Sequence, residues 1–448
     1  MARVIKGRVR VASAAAAVSS LAVLLAACGG SSSGGSGASS SSGTGGGSSA
    51  KSLSFLAINE NTTIPTTLTS LSQKECAAEN KAQPLQIKKQ AQGTLDQQLQ
   101  LLAGQKALPQ LFISANSPDL TKQLFDSGAI LDTGEAATSA GVSDDVLPAA
   151  SSSIKALYDG KQIVLPTELN IEGIWYNKKL LADKGISVPT TWDELTAAFA
   201  KLKAAGVQPI SNAGKGGDGW GITRWVGNYI LRDQGADALK AVKDGSAKLT
   251  DAKYVADAQA IADLGKKGYF GKSPTSIDYA TALNTFMTGK AGFIYMGSWA
   301  LAAFNDPKQN AIGADNIGFM SFPTVSGGSG TADQTPANVG TALAVSKTAY
   351  DKDPATQAWV KCIIANYGTV ALRDSSQITG FKVASGVTVP PLSQDIQTKI
   401  SNIKDSVLWF EAYFPTKATT SSQNNGGLLG SGKLSGEQFM KTVSADLG

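Results

Sequence analysis

Residues 175–211, WYNKKLLADKGISVPTTWDELTAAFAKLKAAGVQPIS, hold one complete unit of alternating secondary structure. The run IEGIWYN (171–177) has the length and apolar content of a strand, and VQPISN (207–212) is the next predicted strand. Between the two, Thr191 and Glu194 form a capping-box pattern that predicts the start of a helix. The apolar side chains of that helix share one face: Leu195, Ala198, Phe199 and Leu202. This order of strand, helix and strand predicts an α/β fold.

The same alternation continues on the amino-terminal side. LSFLAI (53–58) and LPQLFIS (108–114) are predicted strands, and a helix begins between them at Thr94, where Gln97 completes a second capping-box pattern. KQIVLP (161–166) is a further predicted strand. We therefore expect strands and helices to alternate from the first strand onwards.

The carboxyl-terminal side follows the same rule. Asp278 caps a predicted helix that leads into the strand AGFIYMG (291–297), and IGFMSFP (317–323) and ALAVSK (342–347) follow as strands. A long helix begins at Asp353, directly before a proline. Strands that alternate with helices predict α/β lobes with largely parallel sheets.

The start of the chain carries export and anchoring signals. Residues 1–27 combine basic residues with a short apolar run, as a signal peptide does. LAAC (25–28) resembles the lipobox of bacterial lipoproteins, whose cysteine is acylated, and an ordinary signal peptide beside a chance cysteine is the alternative. The Gly/Ser-rich segment within 28–50 predicts a flexible tether. We expect an extracytoplasmic protein whose lipidated Cys28, carrying palmitate or a similar chain, holds it on the outer face of the cell membrane.

Composition excludes several functional classes. The sequence contains no histidine, which rules out Ser-His-Asp and Cys-His nucleophiles and His-ligated zinc, whereas paired carboxylates of the glycosidase type remain available. The leader supplies four basic residues and no acidic ones, so it accounts for most of the formal charge of +5. The remaining chain has no basic excess typical of nucleic-acid binding. We expect no catalytic residue, no metal, no cofactor and no nucleic-acid partner.

Two cysteines remain besides Cys28. Cys76 and Cys362 are free to pair in an oxidising compartment. Their positions alone favour neither a disulfide nor two free thiols. The sequence leaves both states open.

The order of several motifs resembles that of the family 1 extracellular solute-binding proteins of ABC importers, the relatives of maltose-binding protein. The opening stretch is followed by GDGW (217–220), FMTGKAGFIYMGSWAL (286–301) and GFMSFP (318–323). The resemblance covers residues 51–448 and includes the tail LSGEQFMKTVSADL (434–447). It implies a type II periplasmic-binding-protein-like fold, with two α/β lobes, three inter-lobe crossings and a ligand cleft between the lobes.

The resemblance also implies where the lobes begin and end. Lobe 1 is expected at 51–168 plus 318–348, and lobe 2 at 169–317 plus 349–448. The three crossings are expected near 167–171, 316–319 and 347–353. Hinge closure around the ligand is the motion that such a fold implies.

A sugar ring needs flat aromatic surface for its CH faces and polar groups for its hydroxyls. Trp299 follows a predicted strand directly and matches the tryptophan of the family's GSW segment, which lies against sugar; a core position is the alternative. Asn170 is an amide where maltose-binding protein has a binding carboxylate, and the segment after the second strand lacks the family's frequent aromatic and acid, so the ligand is not expected to be maltose-like. The other candidates lie at strand ends, crossings and loops: Asn59, Glu60, Ser114, Asn116, Asn170, Asp218, Trp220, Asn338, Thr379 and Phe381.

The sequence therefore predicts a monomeric binding protein that takes a mono- or oligosaccharide and delivers it to ABC transporter permease subunits, without chemistry of its own. A membrane-tethered glycoside hydrolase with paired carboxylates is the alternative from the enzyme class. A lipid-anchored adhesion or scaffold module is the third reading.

Overall fold

The computed structural model describes residues 52–401 and 406–448 of the 448-residue chain. The predicted signal peptide, the acylation of Cys28 and the Gly/Ser tether lie outside the described residues. Within them, no helix is long and apolar enough to cross a membrane.

The described residues form ten strands in two sheets. The strands are β1 (Leu53–Ile58), β2 (Leu85–Gln90), β3 (Leu111–Ile113), β4 (Asn170–Asn177), β5 (Gln208–Ile210), β6 (Ala291–Gly297), β7 (Ile317–Met320), β8 (Thr335–Asn338), β9 (Leu343–Val345) and β10 (Ser406–Val407). The first sheet has the order β2-β1-β3-β9. The second has the order β10-β8-β4-β6-β5, and β7 also pairs with β4.

Helices connect the strands in both sheets. Before β4 lie α1 (Thr63–Gln73), α2 (Ala77–Ala82), α3 (Leu95–Gly104), α4 (Pro118–Asp126), α5 (Thr133–Ser139) and α6 (Pro148–Leu157). Between β4 and β7 lie α7 (Lys178–Asp183), α8 (Trp192–Ala204), α9 (Trp220–Gln234), α10 (Ala238–Lys243), α11 (Ala252–Lys266), α12 (Tyr279–Met287) and α13 (Leu301–Asn305). After β9 lie α14 (Lys347–Lys352), α15 (Pro354–Ser375), α16 (Pro391–Ser401), α17 (Thr416–Gly430) and α18 (Gly436–Ser444).

The first sheet is mostly parallel and forms the core of lobe 1. β1 pairs in parallel with β2 and β3, and β3 pairs antiparallel with β9. The long helix α15 packs into the same core, where Trp359 and Tyr367 are fully buried. We use "lobe 1" for the segments whose apolar side chains share this core, and "lobe 2" for those around the second sheet.

The second sheet is covered on both faces. Along β6, Phe293 and Tyr295 belong to one apolar cluster, whereas Ile294 and Met296 belong to another on the opposite face. A strand buried on both sides needs apolar residues at every position, which explains the uninterrupted run AGFIYM. However, β4 pairs antiparallel with β6, β7 and β8. The expectation of largely parallel sheets is therefore wrong for lobe 2.

The chain passes between the lobes at three places in the described residues. Leu165 lies in the lobe 1 core and Ile171 in lobe 2, so the first passage falls within the expected range. The second lies between β8 and β9, because β7 still pairs with β4 in lobe 2. The third lies after Phe381, because α15 packs in the lobe 1 core. The structure thus differs from the expected assignment of 318–348 to lobe 1 and of all of 349–448 to lobe 2.

Most predicted helix starts are confirmed. The capping box of Thr191 and Glu194 forms, and the side chain of Asp278 accepts a hydrogen bond from the Thr281 N–H. Thr94 makes no side-chain cap, because it ends a preceding 3-10 turn (Gln92–Thr94) and its backbone is not in the extended conformation of an N-cap. The predicted strand at 161–166 is also wrong. Only a single bridge between Leu165 and Leu343 forms there.

The two cysteines whose state the sequence left open form a disulfide. Cys76 and Cys362 are bonded, with their Cα atoms 5.9 Å apart. The bond ties the start of α2 to α15 within the lobe 1 core. Glu79 lies beside both sulfur atoms, but the pair is a covalent cross-link and offers no thiolate to a metal.

Reduction of this disulfide is expected to lower the free energy of unfolding by about 2–4 kcal/mol, because the bond closes a long loop and so restricts the unfolded chain. The two cysteines are separated by 286 positions. Urea unfolding of the protein with and without dithiothreitol measures the change. The double variant Cys76→Ala/Cys362→Ala is the control, and its midpoint should not respond to the reductant. An identical midpoint for oxidised and reduced wild-type protein would contradict the expectation.

Candidate ligand-binding cleft

Strand ends from both lobes meet at one cleft. Because β1 and β3 are parallel, Glu60 and Ser114 follow their carboxyl ends on the same edge of the first sheet. In lobe 2, Glu172 near the start of β4 pairs with Gly297 at the end of β6. Residues from both edges line a cavity of about 150 Å³. An engineered cavity of this volume holds one benzene ring, so the space suits a single six-membered ring.

Aromatic side chains form one wall of the cavity. Trp299 lies in a single turn of 3-10 helix directly after β6, and it is partly buried. Its indole covers Gly297, where a Cβ atom would stand 2.0 Å from the ring, so this strand end requires glycine. The ring of Trp220 packs against that of Trp299 at 5.7 Å between centroids, and Tyr279 lies 6.2 Å from Trp220 on the same basis. The wall offers flat apolar surface of the kind that sugar faces require.

A buried charge cluster stands behind this wall. The Nε of Arg224 on α9 donates to Glu172 at 2.9 Å, and its Nη1 donates to Glu411. The side chain of Arg224 is 11% exposed, whereas Glu172 and Glu411 are 1% and 0% exposed. Burial lowers the pKa of Arg224, but the two carboxylates outweigh it and the net direction is upward. Its guanidinium also lies over two indoles, 5.7 Å from the Trp220 ring centroid and 5.6 Å from that of Trp409.

Neutral donors complete the cluster. The Asn338 amide donates to Glu172 at 2.7 Å, and the hydroxyl of Tyr295 donates to the other oxygen at 3.3 Å. Glu411 accepts from the hydroxyls of Thr223 and Ser422. Buried carboxylates are tolerated only when their lone pairs are filled in this way. The cluster therefore joins β4, α9, β8 and α17 at the cleft edge of lobe 2.

Glu168 lies at the first inter-lobe passage and accepts hydrogen bonds from residues of both lobes. Its carboxylate accepts from the Asn61 amide of lobe 1 at 2.8 Å, from the Asn170 amide of lobe 2 at 2.9 Å and from the Thr341 N–H at 3.0 Å. The hydroxyl of Ser298 donates to the other end of the Asn170 amide at 2.9 Å. Burial raises the pKa of Glu168 to about 7, although these three donors act against the increase. One carboxylate thus connects residues of both lobes at the hinge.

Lobe 1 supplies a second polar wall. The Gln92 N–H donates to Glu60 at 2.9 Å, and the Asn116 amide donates to the Gln92 carbonyl at 2.9 Å. The next residue, Gly93, meets Gly217 of lobe 2, where an added Cβ would lie 3.2 Å from the Gly93 Cα. Two glycines therefore let the backbones of the lobes approach closely beside the cleft.

A model of the bacterial extracellular solute-binding protein family matches residues 68–366, more than half of the chain. The chain belongs to this family. A solved chitin oligosaccharide binding protein has 25% sequence identity to it and a TM-score of 0.76, with 88% of this chain and 98% of that one covered. The two-lobe fold is confirmed by this likeness.

Two curated relatives of this solute-binding protein match in part. A probable sugar-binding periplasmic protein of Rhizobium meliloti (strain 1021) is 29% identical over 238 residues, 48% of this chain and 52% of the relative. A multiple sugar-binding protein of Streptococcus mutans is 31% identical over 173 residues, 37% of this chain and 39% of the relative. The matched segment thus spans about half or less of each relative's length.

The cleft of this solute-binding protein contains six of the eleven residues predicted from the sequence. The six that line the cavity are Glu60, Ser114, Asn116, Trp220, Trp299 and Asn338. Three of them make contacts within the protein that fix their side chains. The Asn338 amide donates a hydrogen bond to Glu172, the Asn116 amide donates one to the Gln92 carbonyl, and Trp299 packs against Trp220. Their contact with a ligand stays a prediction.

The other five predicted residues lie outside the cavity lining. Asn59 is exposed, the Asn170 amide donates a hydrogen bond to Glu168, and Asp218 accepts one from the Tyr279 N–H at 2.9 Å. Thr379 and Phe381 are 4% and 1% exposed, and Phe381 packs on Tyr367 in the lobe 1 core. The expectation of ligand contact by Phe381 is corrected accordingly, because its ring is enclosed by its own lobe.

Several lining residues were missed from the sequence. They include Glu168, Glu172, Arg224, Tyr279 and Trp409. A signal was available for two of them: Glu172 is a lone acid inside an apolar strand, and Arg224 lies on a largely buried helix. A charge in such a position needs a partner. Trp409 had no comparable signal, since it lies in an irregular segment after β10.

The raised pKa of Glu168 predicts a pH-dependent stability. The pKa rises from 4.5 to about 7 on folding, so the folded form keeps its proton while the unfolded form ionises, and stability falls as pH increases through this window. Between pH 4.5 and about 7, the free energy of unfolding of the wild-type protein should fall by on the order of 3 kcal/mol relative to that of the Glu168→Gln variant. Asp257, whose pKa burial also raises to about 7, contributes equally to both proteins and cancels. Urea unfolding of both proteins as a function of pH measures the difference. If their unfolding free energies changed with pH in parallel, the raised pKa of Glu168 would be contradicted.

Proposed function

We propose that the chain is the extracytoplasmic substrate-binding component of an ABC importer. It binds a mono- or oligosaccharide between its lobes, closes by a hinge motion and delivers the ligand to the permease subunits. It catalyses no reaction. Cys28 carries the lipid that anchors it to the outer face of the cell membrane, and the body is a monomer.

The observation that carries this proposal is the pairing of an aromatic wall in lobe 2 with a polar wall in lobe 1 around one cavity. Trp299 and Trp220 offer apolar ring surface, and Glu60, Gln92 and Asn116 offer hydrogen-bonding groups opposite them. The indole N–H of Trp220 is buried and donates to no acceptor among the described residues. A hydroxyl oxygen of a ligand is a suitable acceptor for such a group.

The relatives support the ligand class. The two curated relatives are sugar-binding proteins by name, and the similar solved structure binds a chitin oligosaccharide. Because the curated matches cover about half of each relative or less, the ligand of this chain is proposed rather than transferred.

The internal bonding of the cleft carboxylates favours binding over hydrolysis. A glycosidase needs one carboxyl group free to protonate the leaving oxygen and another free to attack or to activate water. Glu172 is bonded to Arg224 and Asn338, and Glu168 to Asn61 and Asn170. Carboxylates held in this way support the site and leave the ligand unreacted.

Calorimetric titration of the purified protein with a saccharide panel tests the proposal, with product formation assayed in parallel. The panel contains galactose, glucose, xylobiose, maltose, raffinose and N,N′-diacetylchitobiose. Saturable binding without turnover is expected. Turnover of a bound saccharide would favour the glycosidase, and no binding across the panel would contradict the saccharide ligand.

Labelling with a radioactive fatty acid tests the anchor. Incorporation is expected in the wild-type protein expressed in a bacterial host and should be lost in the Cys28→Ser variant. Equal incorporation in both would contradict acylation at Cys28.

A further inference from the structure

The charges that line the cavity are strongly unequal. Its described lining contains three acids, Glu60, Glu168 and Glu172, and a single cation, the guanidinium of Arg224. Glu168 is only partly charged at neutral pH, because burial raises its pKa to about 7. No lysine is among these lining residues. The sign of the cavity therefore depends on whether Arg224 is available to a ligand.

Arg224 is already neutralised within the protein. It is bonded to both Glu172 and Glu411, so two carboxylates face one guanidinium. Its guanidinium carbon also lies over the indole rings of Trp220 and Trp409, 5.7 and 5.6 Å from their centroids. A guanidinium that is paired twice and flanked by aromatic rings has little charge left to offer an incoming anion. With one cation and two carboxylates, Arg224, Glu172 and Glu411 together carry a net charge of −1, and Glu60 adds a further negative charge, so the cavity is negative.

The opposite wall adds to the negative potential. Glu60 of lobe 1 uses one carboxylate oxygen to accept from the Gln92 N–H. Burial raises the pKa of Asp218 in lobe 2, and the negative charge of Glu60 adds to the increase, so the two acids are close enough to repel each other. Lys215 acts in the opposite direction on Asp218, but it is exposed and does not line the cavity.

We propose that the cleft accepts uncharged saccharides and their amine-bearing analogues, and that it excludes saccharides carrying a carboxylate or a phosphate. This inference rests on the proposed saccharide-binding function. At a separation of about 6 Å and an effective dielectric constant of about 20, the repulsion between two unit charges weakens binding on the order of 100-fold. A uronate enclosed with Glu60 and Glu172 meets that repulsion, whereas a neutral hydroxyl at the same carbon avoids it and can donate to Glu60.

Matched saccharides test the proposal on the purified full chain by calorimetry. The sets are galactose, galactosamine and galacturonate; glucose, glucosamine and glucose 6-phosphate; and N,N′-diacetylchitobiose with chitobiose. In the galactose and glucose sets, a neutral member that binds should do so at least 100-fold more tightly than its anionic counterpart. In whichever set binds, the amine should bind within tenfold of the neutral member or more tightly. An anionic member that binds within threefold of the neutral one would overturn the inference.

The Glu60→Gln variant makes the test specific. The amide oxygen can still accept from the Gln92 N–H, but one cavity charge is removed, so the affinity ratio of neutral to anionic member should fall by the same factor of about 100. Glu135→Gln removes the same charge from an exposed position outside the cavity lining and should leave the ratio unchanged. Equal ratios in both variants would overturn the role of the lining charge.

The outcome also separates this inference from the proposed function. If only anionic members bind, the charge rule fails while saccharide binding stands. If no member of any set binds, the proposed function fails and the charge rule fails with it.

Discussion

Replacing Arg224 with Ala should lower the free energy of unfolding by about 3–5 kcal/mol, because it leaves two buried carboxylates without their cation. Glu172 and Glu411 are 1% and 0% exposed and lose Arg224, the one cation paired with them among the described residues. Urea unfolding at neutral pH measures the loss. Wild-type behaviour of this variant would show that the cluster adds nothing to the stability of lobe 2.

Two further variants separate charge from packing. Lys441→Ala removes a cation from an exposed pair with Glu437 and should change stability by less than about 1 kcal/mol. The triple variant Arg224→Met/Glu172→Gln/Glu411→Gln removes all three charges and should be more stable than Arg224→Met alone. If the triple variant is the less stable of the two, the loss comes from packing and not from unpaired charge.

Replacing Trp299 with Ala should weaken saccharide binding by about 100- to 1,000-fold, which corresponds to about 3–4 kcal/mol of binding free energy. The indole is partly buried, lies over Gly297 and faces the cavity beside Trp220. Without it the sugar loses its flat platform. Calorimetry with the tightest-binding saccharide of the panel measures the change.

Stability measurements show whether the effect is local. Trp299→Ala should lower the unfolding free energy of the unliganded protein by much less than Trp359→Ala, which empties a fully buried site and should cost about 3–5 kcal/mol. Trp299→Phe keeps a flat ring and should retain most of the affinity. Equal stability losses for Trp299→Ala and Trp359→Ala would assign Trp299 to the core.

Local signals predicted those parts of the fold that local physics determines. The run at β6 is apolar at every position because both faces are covered, and β1 and β4 were found within one residue for similar reasons. The capping box of Thr191 forms because its partner is three residues away. The box expected at Thr94 fails because Thr94 ends a preceding 3-10 turn and does not adopt the extended backbone of an N-cap. Short-range alternatives of this kind cannot be ranked from the sequence pattern.

The charge cluster depends on contacts that no local pattern encodes. Arg224 and Glu411 are 187 positions apart, and Glu172 lies 52 positions from Arg224. The predicted assignment of α15 to lobe 2 differs from the structure for a related reason. Whether α15 packs against the first or the second sheet depends on which core has space for Trp359 and Tyr367, and both assignments satisfy the helical pattern.

Trp299 illustrates the opposite case. Its place after a buried strand and a Gly-Ser turn, together with the resemblance to the family's GSW segment, predicted a position at the cleft, and its side chain lines the cavity. Five other predicted residues line the same cavity, whereas further charged and aromatic lining residues were found only through the structure: Glu168, Glu172, Arg224, Tyr279 and Trp409. Strand ends therefore predict where a site lies better than they predict which side chains complete it.

The central claim is that a saccharide binds between the two lobes, against Trp299. A crystal structure of the protein with the tightest-binding saccharide of the panel tests it most directly. The account predicts a sugar ring packed on the Trp299 indole, with hydroxyls bonded to groups from both lobes around Glu60 and Asn116. A saccharide bound outside this cavity, or held by one lobe alone without contact to Trp299, would contradict it.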